Sequence, residues 1–279
     1  MILSPYHDGL EEEGRGRGPA RLIDAVPPTA RLSVERIGPV DPAQPEAARV
    51  FAVGAQLAHR VRGAIRDGAF PLVLAGDCNS CLGTVAGCED EGLGVLWFDA
   101  HADIDTPDSS SSGSLDAMGL ALLTGHGWRA LRTTLPGLKP IDEARVVLVG
   151  VRAFEPGQRH RLRQSRMRVL EGDRFSDADL TAALDHLRTR APRLYLHIDL
   201  DALDPREGIA NRYSAAGGLS RAGLGSAVVE AFGRFDVRAV AITAYDPEAD
   251  RDGRMLDTAV RTIGVVAECA LGSRRSGIL

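Results

Sequence analysis

The sequence predicts an α/β fold, a mainly parallel sheet of about eight strands with helices on both faces. Short apolar, β-branched runs recur along all 279 residues, with helix-like stretches between them. Most of these runs are near-continuously apolar rather than alternating, which is how strands read when both faces of a sheet are covered. No Pro/Gly/Ser-rich linker and no internal repeat interrupts them, so residues 1–279 read as a single domain.

The elements follow in order. A first strand covers 2–4, and the glycine-rich loop Gly14-Arg-Gly-Arg-Gly-Pro19 then precedes a helix. A second strand is expected at 31–37. The helix over 46–66 carries Val50, Val53, Leu57, Val61 and Ile65 at i, i+3, i+4 spacing, the stripe of an amphipathic helix. Strand 71–75 exits through Gly76 into a helix over 80–91 that begins near Asn79. Strand 94–99 runs into a polar loop at 106–114 and a helix at 115–124. Strand 145–150, helix 157–164, strand 167–170, helix 176–190, strand 193–201, helix 220–235, strand 237–243 and helix 257–270 complete the alternation. Loops at the carboxyl ends of parallel strands form binding crevices, which is where 106–114 would lie.

Composition narrows the function classes. A chain 44% hydrophobic is far too apolar for disorder. With 33 basic and 38 acidic residues the net charge is −5, which argues against a nucleic-acid or membrane-surface partner. No apolar run approaches the roughly 18 residues of a membrane span. The start, MILSPYHDGLEEE, lacks a signal peptide's basic flank and apolar stretch, so a cytoplasmic location is expected. The four cysteines, at 78, 81, 88 and 269, are too few for a disulfide framework and fit reduced thiols.

The chemistry concentrates at three strand ends. Gly94-Val-Leu-Trp-Phe-Asp99-Ala-His101-Ala-Asp103-Ile-Asp105 carries D-x-H-x-D-x-D out of an apolar strand. At period two, Asp99, His101 and Asp103 would start on one side of the chain. Like-facing ionisable groups at a buried strand end are costly unless a cation compensates them, and carboxylate with imidazole suits Mn²⁺, Zn²⁺ or Fe²⁺. The alternative is a cap-and-turn cluster. Tyr195-Leu-His197-Ile-Asp199-Leu-Asp201-Ala-Leu-Asp204-Pro205 repeats the pattern, with His197 in phase with its carboxylates. Two such strands imply more than one ion, and paired ions can share and deliver a hydroxide. The third end is Gly76-Asp77-Cys78-Asn79-Ser80-Cys81. A thiol at a helix N-terminus has a lowered pKa, so Cys78 reads as a thiolate ligand, a redox thiol or a small buried side chain. Cys78, Cys81 and Cys88 would alone suggest a zinc or redox module, but no second Cys/His pair of suitable spacing follows.

Taken together, G-D-C at 76–78, D-A-H-A-D at 99–103 and D-L-D-A-L-D-P at 199–205 resemble, in order, the arginase–agmatinase–formimidoylglutamase family, the ureohydrolases. Gly14–Pro19, Thr106-Pro107, Ser112-Gly113, Val149-Gly-Val-Arg152, Gly217-Gly-Leu-Ser220 and Tyr245-Asp-Pro247 resemble further family segments in colinear order. The resemblance implies a three-layer α/β/α, arginase-like domain that assembles as a homotrimer or hexamer. It implies two divalent ions, normally Mn²⁺. Cys78 and Asp103 would hold one, His101 and Asp201 the other, and Asp99 and Asp199 would bridge them. The bridging hydroxide would attack the carbon of a guanidino, amidine or amide group on a small-molecule substrate.

Departures from the family pattern shape the expected activity. Cys78 stands in place of a histidine ligand, which adds negative charge and favours Zn²⁺ or Fe²⁺ over Mn²⁺. His197 is a candidate substitute base, and Asp116 stands where arginases carry a proton-shuttling histidine. Acid–base work by Asp116 would need a raised pKa, which an anionic cluster would supply. Ala244 replaces the glutamate that grips the guanidinium, and neighbouring Tyr245 could bond a neutral amide instead. Asp105, Ser112, Glu155 and Tyr213 fall at substrate-contacting positions. The expectation is therefore a metal-dependent C–N hydrolase acting on something other than arginine, with Asp103, Asp116 and His197 in catalytic roles. The alternative is a catalytically silent, metal-binding relative that binds a ligand or partner.

Overall fold

The computed structural model describes residues 1–27 and 33–275. The apolar runs become strands β1 (Ile2–Ser4), β4 (Glu35–Arg36), β5 (Leu72–Ala75), β6 (Leu93–Phe98), β7 (Val146–Val151), β8 (Arg168–Glu171), β9 (Arg193–Asp199) and β10 (Asp236–Thr243). A short hairpin, β2 (Tyr6–His7) with β3 (Leu10–Glu11), follows β1 and was not legible in the sequence. The helices are α1 (Gly18–Ala25), α2 (Glu46–Arg66), α3 (Ser80–Cys88), α4 (Gly119–Leu123), α5 (Arg129–Arg132), α6 (Gln158–Gln164), α7 (Asp177–Arg188), α8 (Arg221–Arg234) and α9 (Arg254–Arg275).

The eight long-range strands form one parallel sheet in the order β4-β1-β5-β10-β9-β6-β7-β8. Alternate residues of each central strand enter opposite cores, as the pleat requires. Leu96 and Phe98 of β6 join Leu184 of α7, Val228 of α8 and Ile263 of α9 on one face. Val95 and Trp97 join Leu57 of α2, Leu82 of α3 and Leu162 of α6 on the other. Local signals seat the helices. Ser176 and Asp179 cap α7 reciprocally, and the Ser220 hydroxyl accepts from the Gly223 N–H to start α8.

Several expected bounds shift. Of strand 31–37 the structure shows Glu35–Arg36, and Arg31 and Leu32 lie outside the described residues. The helix expected at 115–124 splits into a 3₁₀ turn, Asp116–Met118, and α4. Strand 193–201 ends at Asp199, where a 3₁₀ turn over Leu200–Ala202 begins. The last helix starts at Arg254 rather than 257.

After β5 the chain crosses to β6 and leaves a gap that β9 and β10 later fill. That reversal of winding is the switch point where open parallel sheets bind ligands, and it brings the carboxyl ends of β5, β10, β9 and β6 together. The hairpin and its following turn lie over the β5 end. A Cβ on Gly76 would fall 2.3 Å from the Tyr6 carbonyl oxygen and 2.8 Å from Gly16 Cα. Backbone cannot yield as a flexible side chain can. Gly76→Ala is therefore expected to cost about 1–3 kcal/mol, the usual range for overpacking. Chemical denaturation checks this, and an unchanged midpoint would contradict the close approach.

Candidate functional site

Asp99 and Asp199 make the same turn at neighbouring strand ends. Asp99 follows the last residue of β6, and its Oδ1 accepts from the His101 N–H at 2.7 Å. Asp199 closes β9, and its Oδ1 accepts from the Asp201 N–H at 2.8 Å. The Ala100 N–H donates to Asp201 Oδ1 at 3.1 Å and stitches the two turns together. Trp97 Nε1 donates to Asp99 Oδ2 at 2.9 Å. The period-two argument for Asp99, His101 and Asp103 therefore needs correction: β6 has ended, and a turn gathers them. Asp103 has φ +47°, the left-handed region a non-glycine residue rarely occupies.

All six expected ligands converge. The donor atoms of Cys78, Asp99 and Asp103 lie within 4.8 Å of one another, as do those of Asp99, His101 and Asp201. Asp99 belongs to both groups. His101 Nδ1 sits 3.4 Å from both Asp99 Oδ1 and Asp201 Oδ2. Asp199 completes the set from the other side: the Cys78 thiol donates to its Oδ2 at 3.0 Å. His101 is partly open and the other five are buried.

The electrostatics are those of crowded, desolvated like charges. Burial, with the Asp201 charge adding, pushes Asp99 up to about 6. Burial and neighbouring carboxylates push Asp103 and Asp199 well above the usual carboxylate range. Burial pulls His101 down, but Asp201 and Asp99 outweigh it and raise it to about 12. Burial opposes ionisation of Asp201 too, yet His101 and the bonds from Ala100 and Asn211 hold it well below the usual range. The expected lowering of Cys78 is overturned, because burial and then the Asp199, Asp103, Asp116 and Asp99 charges raise its pKa. The donor sets would suit two adjacent divalent ions, one offered thiolate and carboxylate and the other imidazole and carboxylate, with Asp99 common to both sets. Among the described residues neither group includes Cys81 or Cys88, so the cysteine-module reading finds no support.

Other expected site residues fall less simply. Asp116 reaches the Cys78 backbone, its Oδ1 accepting from that N–H at 2.8 Å. Its pKa is not raised as expected: burial pushes it up, but Arg15, 2.6 Å away, and the Cys78 N–H hold it below the usual range. His197 lies fully buried beneath the site, stacked on Trp97 at 3.6 Å. Its Nδ1 bonds the Tyr195 hydroxyl at 2.7 Å, and Nε2 lies 3.4 Å from Thr243 Oγ1. Burial lowers its pKa to about 3, so the ring is neutral. Asp105 is buried, and its Oδ1 accepts from Gln158 Nε2 at 3.0 Å. Tyr245 is not brought to the site: its buried hydroxyl donates to Asp250 Oδ2 at 3.1 Å, and its ring packs in the core with α9. Glu155 accepts from the neighbouring Ser111 hydroxyl at 3.1 Å, while Ser112 accepts from the Ser114 N–H. Tyr213 is half-exposed, its ring edge-on to His101 at 6.3 Å.

The sequence reading missed Arg15, Trp97, Thr243 and Asn211. Asn211 Nδ2 donates to Asp201 Oδ2 at 3.2 Å and to the Ala244 carbonyl at 3.1 Å. Ala244 itself is buried with φ +66°. Only Arg15 had a signal, as the first arginine of the glycine-rich loop.

Comparison with known proteins places this geometry. The family model described as Arginase family matches residues 8–272. The arginase of Bacillus caldovelox is 35% identical over 172 residues, 59% of this chain and 57% of that protein. The arginase of Bacillus subtilis (strain 168) is 35% identical over 178 residues, 61% of this chain and 60% of that protein. The chain thus spans under two thirds of the length of these curated relatives. Among solved structures, the native arginase of Bacillus caldovelox superposes with a TM-score of 0.82 at 26% identity, covering 95% of this chain and 96% of that one. Formimidoylglutamase from Bacillus subtilis subsp. subtilis str. 168 shares the fold, with a TM-score of 0.78 at 15% identity over 96% of this chain and 85% of that one.

Proposed function

The chain belongs to the arginase family, and on that premise we propose that it is a metal-dependent hydrolase of a linear C–N bond in a guanidino, amidine or amide compound. The observation that carries the proposal is the sharing of Asp99 between two compact donor groups. Two divalent ions would be held, one by Cys78 and Asp103 and the other by His101 and Asp201, with Asp99 and Asp199 between them. Mn²⁺ is the ion the family reading implies, and Zn²⁺ or Fe²⁺ suits the thiolate. Bound there, the ions supply Lewis acidity and an activated water.

The chain's own groups do the rest. Asp103 orients the nucleophile from the Cys78 side. Asp116, paired with Arg15, stays ionised and serves the site as an acceptor, which is a different role from the acid–base work first expected. His197, neutral and bonded through Thr243, acts from beneath the ligands rather than on substrate. Tyr213, Glu155 and Ser112 line the approach, while Asp105, covered by Gln158, sits behind it. Ala244 offers no carboxylate to a guanidinium and its carbonyl is already bonded to Asn211, which favours a substrate other than arginine. A homotrimer or hexamer, a single domain over residues 1–279 and a cytoplasmic location belong to the same reading. Among the described residues no helix is long and apolar enough to cross a membrane.

Elemental analysis after separate loading with Mn²⁺, Zn²⁺ and Fe²⁺ tests this, followed by a screen of guanidines, amidines and amides. About two ions per chain and a turnover lost in Asp201→Asn support the proposal. Two ions with no turnover of any of these classes would leave the silent relative, and no ion would overturn the site.

A further inference from the structure

We propose that Arg15 is a positioning residue for Cys78, acting through Asp116 to fix the thiol arm of the site. The proposal rests on the two-ion reading above. It starts from an unusual placement. Arg15 lies in the turn after the β2–β3 hairpin, more than sixty residues before Cys78, yet it is only 7% exposed. Its Nη2 donates to Asp116 Oδ2 at 2.6 Å and to His7 Nε2 at 2.7 Å. Asp116 Oδ1 then accepts from the Cys78 N–H at 2.8 Å. One guanidinium, one carboxylate and one backbone N–H therefore connect the hairpin to the residue that carries the thiol.

Independent contacts hold the same segment. The Asp8 N–H donates to Asp77 Oδ2 at 2.9 Å, and Asp77 directly precedes Cys78. Gly76 meets the Tyr6 carbonyl and Gly16 without room for a Cβ. Oriented so that both its amide atoms are bonded, Asn79 donates to the Leu115 carbonyl at 3.0 Å and accepts from the Asp116 N–H at 3.2 Å. The hairpin and the turn at 115–116 thus grip 76–79 from both flanks.

Charge gives the cation a second task. A thiolate at Cys78 and a carboxylate at Asp116 each add a negative charge beside Asp99, Asp103 and Asp199. Arg15 is the buried cation at this end of the cluster, and its guanidinium also lies 5.6 Å from the Tyr213 ring centre at the rim. A lysine would keep the charge, but its ammonium ends one bond short of the Nη2 through which Arg15 meets both Asp116 and His7. Without Arg15, the half-buried Asp116 loses its cation, and its hold on the Cys78 N–H slackens.

The test uses the full chain and two readouts besides activity. In calorimetric titration with Mn²⁺, and separately with Zn²⁺, Arg15→Met should weaken one ion about 10–100-fold, the usual effect of removing a group that orients a ligand, and leave the other unchanged. Arg15→Lys should recover part of that loss. In the ion-free protein, iodoacetamide labelling followed by peptide mass spectrometry should show Cys78 reacting about tenfold faster in Arg15→Met, with neighbouring buried Cys81 and Cys88 unchanged as internal controls. Arg15→Met/Asp116→Asn should be no worse than the worse single variant, because both act along one path. Wild-type affinity for both ions in Arg15→Met, or equal acceleration at all three cysteines, would overturn the proposal. Should wild type bind no ion, the two-ion reading fails, while selective Cys78 labelling still reports whether Arg15 holds the thiol arm.

Discussion

Asp99→Asn is expected to remove both ions at once, because Asp99 is the one residue common to the two donor groups. The amide keeps one oxygen for the Trp97 Nε1–H or the His101 N–H, so the turn after β6 has a partner left. It loses the charge and the second acceptor that two cations need. On the proposed chemistry turnover should fall at least about 10³-fold, equivalent to about 4 kcal/mol of transition-state stabilisation. The binding readout is separate. Mn²⁺ should raise the melting temperature of wild type, since an ion that binds only the folded state stabilises it by mass action. That increment should vanish in Asp99→Asn. A variant that still takes up about two ions per chain would show that Asp199 alone bridges them, and the assignment of Asp99 would fall.

The eight-stranded sheet, most of its helices and the polar ends of its strands were legible because each is a local signal. Apolar runs such as Leu72–Ala75 and Leu93–Phe98 declare a doubly covered sheet, and the polar residues that end them mark the crevice. What the sequence hid is geometry between distant segments. Period two placed Asp99, His101 and Asp103 on one side, but the strand stops at Phe98, and a side-chain acceptor at Asp99 turns the backbone. Tyr245 is adjacent to Ala244 in sequence, yet Asp250 and the α9 core draw its ring away from the crevice. Asp105 looked free to meet substrate until Gln158, from a helix fifty residues on, covered it. Asp116 looked like a carboxylate among carboxylates, and nothing near it in sequence announces the guanidinium of Arg15. In each case the missing information is a contact partner, which periodicity and spacing do not encode.

Affinity for each ion should rise with pH by about tenfold per unit near neutrality, and loading of the pair by about 100-fold, because each ion must expel one proton, from Cys78 or from His101. In the ion-free protein Cys78 is a thiol, raised by burial and by the Asp199 charge. His101 is an imidazolium, pushed up to about 12 by Asp201 and Asp99 against its burial. Neither can ligate until it deprotonates. The same shifts set the stability of the ion-free protein. For His101, folded above its ordinary 6.5, the contribution is complete below 6.5 and is lost as pH climbs toward about 12. For Asp99, folded above its ordinary 3.8, the contribution is complete below 3.8 and is lost as pH rises through about 6. Both groups therefore weaken the ion-free fold on raising pH, while the loaded site gains affinity. Neutral His197, held down to about 3, works the other way and loses stability as pH falls below 6.5, but it does so in both forms and cancels in the difference. The Mn²⁺-induced rise in melting temperature should accordingly widen from about pH 5 to about pH 8. Titration calorimetry in two buffers of different ionisation heat counts the protons directly. Fewer than one proton released per chain at neutral pH would mean that neither Cys78 nor His101 gives up its proton on loading, and the assignment of both as ligands would fall.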